Sequence, residues 1–520
     1  MRRLTFSNLL AHCGLLAAGL LVYHLILRLL MSENGLRLGA ISYKLAPLYA
    51  YWRPNVKGWL LIPVAVLAIY FSFLRRTHLA TSLSDRAALL SFVTFFIAIC
   101  TSVAMLDGGP KSLIAPLLRA DLEYFGAIDR VHGIADFLRD YPQLSPTMPM
   151  HAQVHPPGAI LFLWLVTKVL GGGPYAAAAG IILFSSLSIV VVFFWAKRLG
   201  GPGVARRAAA VFLLTPSVVL FTATSMDGPF AVFLIAAMWL FWESLGVSSQ
   251  WSVVNGQWSV VSGQPSSLSE CDGHRIRNLR GIAFGILAGQ AATAAALMTY
   301  SVTVVFLFCG LAACVSWFAI PTSRSRIITA CLIALTSFLG AHVLLWLATG
   351  YDPVQMFLTA VANSNYIMSG TRHDSIWRYA HIVVANLVVF FIAAGLSCAV
   401  LWWPTVLRSF TQSGQPTDHR SPITDHRSMP GQGQNEPAQD PIRLFTITAA
   451  FTVLIAAVVP VYVLEVERVW MFLTPFVAIP VAWRLFDEER CSGKIGAALP
   501  VTALLAVQTL LTEVFLTTYW

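Results

Sequence analysis

A chain of 520 residues with 57% hydrophobic and only 11% charged side chains lacks the polar surface to coat the several soluble cores its length would otherwise imply. Mean hydropathy of +0.71 points the same way, to an all-α polytopic transmembrane helical bundle built from apolar runs of about 20 residues. The formal charge of +10 then reads as lysine and arginine holding cytoplasmic loops in place, so no nucleic-acid partner is expected.

Fourteen apolar segments follow in order, near 9–31, 58–74, 88–106, 156–171, 175–196, 207–225, 228–246, 281–298, 302–320, 327–349, 380–404, 443–463, 470–484 and 495–515. The first is too long for the core of a cleaved signal and has no small-x-small site after it, so it reads as a membrane helix. The basic residues decide which segments cross. Arg75, Arg76 and Arg86 set the second connection inside and residues 107–155 outside. If 156–171 crossed, Lys197, Arg198, Arg206 and Arg207 would be stranded outside. If it stays outside as a juxtamembrane helix, they fall inside, as do Arg275, Arg277, Arg280, Arg324, Arg326 and Arg408. The expectation is about thirteen crossings with the N-terminus in the cytoplasm. Residues 32–57 disagree, carrying Arg37, Lys44, Arg53 and Lys57 although assigned outside.

This organisation divides the chain into two extra N-terminal helices, 1–87, and a module, 88–520. The module has an outer loop at 107–174 and low-complexity cytoplasmic loops at 247–280 and 405–442. Each cytoplasmic loop holds a tandem heptad: Trp251–Gln257 repeats as Trp258–Gln264, and Thr417–Ile423 as Thr424–Pro430. Two copies are too few for a solenoid or a coiled coil, and both read as tolerated disordered insertions. Eight cysteines without a Cys-x-x-Cys pair predict neither a disulfide framework nor a zinc site.

The outer loop is the informative stretch. Tyr124, Val131, Ile134, Leu138 and Tyr141 recur at helical spacing, with Asp129, His132, Asp136, Arg139 and Asp140 opposite. That pattern predicts an amphipathic helix over 121–141, lying on the membrane surface. Asp121 at its start reads either as an N-cap or as a catalytic carboxylate, and spacing does not choose. Next, His151 and His155 precede Pro156 and Pro157, which suit a first helical turn and place His155 beside free N–H groups. The prolines make a shared helical face for the two histidines a poor metal site. No metal ligand is assigned and no cofactor is required, although a divalent ion stays open. Three further clusters are expected on the same side: Thr224–Pro229 with Asp227; Tyr351–Tyr379 with Asp352, Arg372, His373, Asp374 and Arg378; and Glu465–Trp470 with Glu467 and Arg468. A transporter or lipid-linked saccharide flippase would instead place ionisable groups at the bilayer midplane.

These residues resemble a family. Asp121-Leu-Glu123-Tyr124-Phe, His155-Pro156-Pro157-Gly158, Thr215-Pro216 and Met226-Asp227-Gly-Pro are similar, in order and spacing, to motifs of the GT-C class over roughly 88–246. These are integral-membrane glycosyltransferases that use polyprenyl-phosphate sugars, such as protein O-mannosyltransferases and lipid A aminoarabinose transferases. The resemblance implies inverting transfer to a hydroxyl acceptor (lipid, polysaccharide or protein) at the outer face of a bacterial-type plasma membrane. A first-loop carboxylate would be the base. Asp121 matches the catalytic position and Glu123 is its neighbour. The family's acid follows its first helix closely, however, and Asp107 stands there, so that choice stays open. Asp227 matches a second acid, and His155, with His151 near it, occupies a place where some relatives have a phosphate-contacting lysine. Arg372, Arg378 and Arg468 are phosphate-binding candidates by side and charge, and Glu467-Arg468-Val-Trp470 resembles an outer-loop motif of uncharacterised relatives. The rival readings are the flippase and a non-catalytic envelope assembly subunit.

Overall fold

Backbone N–H and C=O groups facing lipid must be satisfied within their own segment, so apolar runs of this length fold as helices. The computed structural model describes residues 5–33, 48, 50–77, 83–247, 251–254, 257–260, 270–320, 324–367, 376–411, 441–459, 466–492 and 496–518. Its helices are α1 (Phe6–Glu33), α2 (Leu61–Thr77), α3 (Asp85–Ala104), α4 (Ile134–Leu144), α5 (Met150–Val154), α6 (Gly158–Val169), α7 (Gly173–Ser185), α8 (Leu187–Leu213), α9 (Pro216–Thr222) and α10 (Asp227–Ser244). They continue with α11 (Glu270–Met298), α12 (Val302–Ala319), α13 (Arg324–Thr349), α14 (Pro353–Ile367), α15 (Ile376–Ala394), α16 (Leu396–Thr411), α17 (Pro441–Val458), α18 (Val466–Val469), α19 (Pro475–Ser492) and α20 (Ala498–Phe515). Among the described residues nine helices are long and apolar enough to cross a bilayer, or ten if α15 and α16 make one span. The chain is a multi-pass, all-α membrane protein.

The expected segments map onto these helices, the short one among them, with two informative differences. Segment 156–171 becomes α6, whose 12 residues span about 18 Å, well short of a bilayer's hydrocarbon core. Segments 175–196 and 207–225 fall in one helical run interrupted at Gly201, where φ is +80° and Pro202 follows. The second of them breaks again before Pro216, which starts α9. Segment 380–404, expected as one span, is instead a pair of helices bent by 113°. Gly395 at the bend has φ +99°, and a Cβ there would lie 2.0 Å from Leu505 Cδ2. The broken turn leaves polar groups that Gln508 on α20 satisfies from both sides. Its Oε1 accepts from Leu396 N at 2.9 Å, and its Nε2 donates to the Ile392 carbonyl at 2.7 Å.

The core is aromatic where α8, α10, α12, α17 and α19 meet. Trp195 packs on Phe445 at 5.0 Å, Trp242 on Phe445 at 5.7 Å and Phe308 on Phe476 at 5.1 Å. Against this, α11 and α13 approach through small residues. A Cβ on Gly289 would meet the Ala334 carbonyl at 2.5 Å, and Gln290 bonds Ser337 Oγ at 3.0 Å across the contact.

Two short antiparallel pairings complete the architecture. Ala50–Trp52 pairs with Leu516–Thr518, Ala50 opposite Thr518, and the ladder is prolonged by Arg53 N to Phe515 O and Asn55 N to Val514 O. The second pairs the tandem heptads, Trp251–Val254 with Gln257–Val260. The expected disordered insertion is therefore a paired ribbon here. Four-residue Val-rich runs separated by Asn-Gly carry the sequence signal for a hairpin, which the repeat arithmetic overlooked. The other heptad pair, 417–430, lies outside the described residues.

The expected surface helix over 121–141 does not form as one element. Residues Tyr124–Arg130 make a 3₁₀ turn, Val131 leaves helical geometry at φ −87°, ψ 86°, and α4 starts only at Ile134. Most of its apolar stripe faces protein rather than lipid, since Tyr124, Ala127, Val131, Leu138 and Tyr141 are buried, while Ile134 is half exposed. Asp121 sits in a turn and caps no helix.

Candidate active site

The turn carrying Asp121 and Glu123 is zipped to the start of α5 by main-chain bonds. Met150 N donates to the Asp121 carbonyl at 2.9 Å and His151 N to that of Leu122 at 3.1 Å. This register turns Glu123 inward, where its Oε1 lies 3.3 Å from His151 Nδ1, both side chains being buried. Tyr141 fixes the far end of α5, its hydroxyl donating to the Ala152 carbonyl at 2.8 Å. The Pro-Pro-Gly that follows docks on α11. A Cβ on Gly158 would stand 2.2 Å from the Leu297 carbonyl, so only glycine allows the approach.

The opposing wall is the break before α10. Ser225 Oγ donates to Asp227 Oδ2 at 2.9 Å, and Arg468, reaching over from α18, forms an ion pair with the same oxygen, its Nε 2.9 Å away. Both members of this ion pair are nearly excluded from solvent. Between the walls is a small cavity bounded by Glu123, Tyr124, His151, His155, Asp227 and Arg468, with Ser225, Met226, Phe230, Thr299 and Val469.

His155 lies between Tyr124 and Phe230, 6.0 Å from each ring and stacked on the second. Burial, with the charges of His151 and Arg468 adding to it, pushes its imidazole down to about 3. It is therefore neutral at physiological pH, and its buried Nδ1 has no partner among the described residues. Burial, followed by the Glu123 and Asp227 carboxylates, holds the Tyr124 phenol well above its ordinary value.

Of the residues singled out in the sequence, Glu123, His151, His155, Asp227 and Arg468 come together here. Asp121 does not line the cavity and its side chain is exposed. Asp107 belongs to a different structure: its carboxylate accepts from Asn55 and its carbonyl from Lys57, which ties the first long loop to the stretch before α2. Residues 50–57 thus share a face with the first long loop, as expected despite their basic charge. Arg372 and the side chains of Arg378 and Glu467 lie outside the described residues. Thr299 and Phe230 were not singled out, and Ser225 entered only as a member of the Thr224–Pro229 cluster. Thr299 opens the gap between α11 and α12, and loop parity alone would have set it on this face. Among the described residues no group of three metal-ligating side chains occurs.

A multi-pass helical bundle whose first long loop folds over buried acids, histidines and an arginine resembles the GT-C class of membrane glycosyltransferases, as the motifs do. Residues 154–258 match the sequence model of the family described as dolichyl-phosphate-mannose-protein mannosyltransferase, a stretch that includes His155 and Asp227. Similar solved structures include ArnT from Cupriavidus metallidurans bound to undecaprenyl phosphate, at 11% identity and a TM-score of 0.43 over 82% of this chain and 76% of that one. The apo oligosaccharyltransferase of Archaeoglobus fulgidus is similar at 13% identity and a TM-score of 0.40, over 81% of this chain and 56% of that one. This chain therefore spans just over half the length of the archaeal protein. No curated protein matches by sequence.

Proposed function

We propose that this chain transfers a sugar from a polyprenyl-phosphate donor to a hydroxyl acceptor, with inversion, at the outer face of a bacterial-type plasma membrane. One observation carries the reading: a single cavity joins a histidine-paired carboxylate, Glu123, to a buried arginine, Arg468. Inverting transfer asks for these two kinds of group, a base for the acceptor proton and a cation for the departing phosphate.

In this reading Glu123 takes the proton of the acceptor hydroxyl as its oxygen bonds to the anomeric carbon. The bond from that carbon to the phosphate oxygen breaks on the opposite side, and polyprenyl phosphate leaves with the electron pair. Arg468 faces the charge that develops on it. Glu123 is preferred to Asp121 and Asp107 because it borders the cavity and they do not. It is preferred to Asp227 because that carboxylate is committed to Arg468 and Ser225. Neutral His155 adds no charge, and its Nδ1 offers one hydrogen bond to a ligand atom.

Mass spectrometry of envelope glycans with and without the gene, complemented by wild type or Glu123→Gln, tests the proposal. Loss of one sugar residue, restored by wild type and not by Glu123→Gln, is expected. Accumulation of intact lipid-linked precursor on the inner leaflet would replace transfer with flipping.

A further inference from the structure

Helix α14 has its apolar residues on the wrong side for a surface helix. Val354, Phe357, Leu358 and Val361 are all exposed, and their spacing of three and four places them in one stripe. The opposite face is the one packed on protein. Met356 and Ala360 are buried there, and Asn363 Nδ2 donates to the Gln153 carbonyl at 2.9 Å. A helix with protein behind it and a continuous apolar stripe in front requires an apolar medium for that stripe.

The chain's course says which medium. Helix α14 starts just after α13, a candidate membrane span whose outward face is formed by exposed Leu339, Val343, Leu344 and Leu347. Gly350, at φ +76°, makes the turn between the two helices, and Asp352 Oδ1 caps α14 by accepting from Val354 N at 2.8 Å and Gln355 N at 3.0 Å. The exposed stripe thus begins where a lipid-facing surface ends. We infer that α14 lies in the interfacial layer of the bilayer with Val354, Phe357, Leu358 and Val361 among the acyl chains.

This seat bears on the cavity. Asn363 holds the carbonyl of Gln153, midway between His151 and His155, and the Phe357 ring packs edge-on against Tyr300 at 5.3 Å, next to Thr299. Both contacts tie a helix immersed in lipid to Gln153 and Tyr300, close neighbours in the chain of His151, His155 and Thr299, which border the cavity. The inference does not depend on the proposed reaction.

The test uses the full chain reconstituted in vesicles of isotope-labelled phosphatidylethanolamine and phosphatidylglycerol. A photoreactive benzophenone side chain is placed at Leu358, or at Gln355, which is exposed but off the stripe. After irradiation, mass spectrometry should find phospholipid adducts several-fold more abundant at Leu358 than at Gln355. Equal adducts at the two positions, attachment to a second copy, or attachment to other residues of the same chain would each overturn the inference. If the Leu358 variant does not fold, Val361 carries the same probe. The readout is independent of turnover, so failure of the glycosyl-transfer reading leaves it intact.

Discussion

The two ends of α10 bury charge in different ways. At one end Asp227 meets Arg468 beside an open cavity and an unpartnered imidazole nitrogen. At the other, about 24 Å along the axis, Glu243 meets Arg198 at 3.2 Å. Around that second end Asp85 takes Lys197 at 2.8 Å and Arg206 at 3.0 Å, and Arg207 pairs with Glu489. These are the basic residues that fixed the topology, and each is matched to an acid from another helix. They anchor helix ends to one another. Burial of charge is thus common to both ends, and the cavity is what separates a site from a clamp.

Substitutions can break this contrast, the largest effect coming first. Glu123→Gln should lower turnover by about 10²–10⁴ in an assay of polyprenyl phosphate release while thermal stability stays near wild type. Asp121→Asn and Asp107→Asn should retain most activity, and normal turnover in Glu123→Gln would move the base elsewhere. Arg468→Lys should reduce turnover by about 10²–10³, because a lysine ammonium cannot reproduce the planar guanidinium that meets Asp227 and the leaving phosphate.

The clamp end should respond in stability instead. Arg207→Met strands Glu489 in a buried position and should cost about 3–5 kcal/mol in thermal unfolding, most of it recovered by the further change Glu489→Met. Activity per folded molecule should not change in either variant. A pH series sharpens the contrast from the cavity side. The folded His155 imidazole titrates at about 3 and the unfolded one at the ordinary 6.5, so the unfolded chain binds the proton first on acidification. Stability is full above 6.5 and falls as pH drops from 6.5 toward 3. His155→Phe, which keeps the stack on Phe230, should flatten the dependence of Tm on pH in that window. The smallest effect is expected for deletion of Trp251–Gln264, which should leave turnover and Tm nearly unchanged.

Sequence reading went furthest where a residue type is costly in its setting. Charged groups are scarce in this chain, so counting them placed 197–207 at one face and Glu123, His151, His155, Asp227 and Arg468 together at the other. The short α6 was legible for the same reason, since its crossing would have stranded four basic residues. What sequence could not supply was direction within the first long loop. Tyr124 and Tyr141 have the spacing of a lipid-facing stripe, but burial against protein and burial in lipid demand the same apolar residues. The preference for Asp121 over Glu123 came from the motif match, and the helix start that offered Asp121 a capping role lies instead at Ile134. The bend at Gly395 was equally hidden, because its partner Gln508 lies more than a hundred residues away.

The pairing of Ala50–Trp52 with Leu516–Thr518 sets an order of assembly. A ribosome delivers the second strand only after every helix from α2 to α20 has been made, so the first strand must wait for all of them. Until then Asn55 and Lys57, which hold the Asp107 turn, have no ladder behind them. The two leading helices, set apart in the sequence as an addition to the module, would then be made before the module and locked in place only after it.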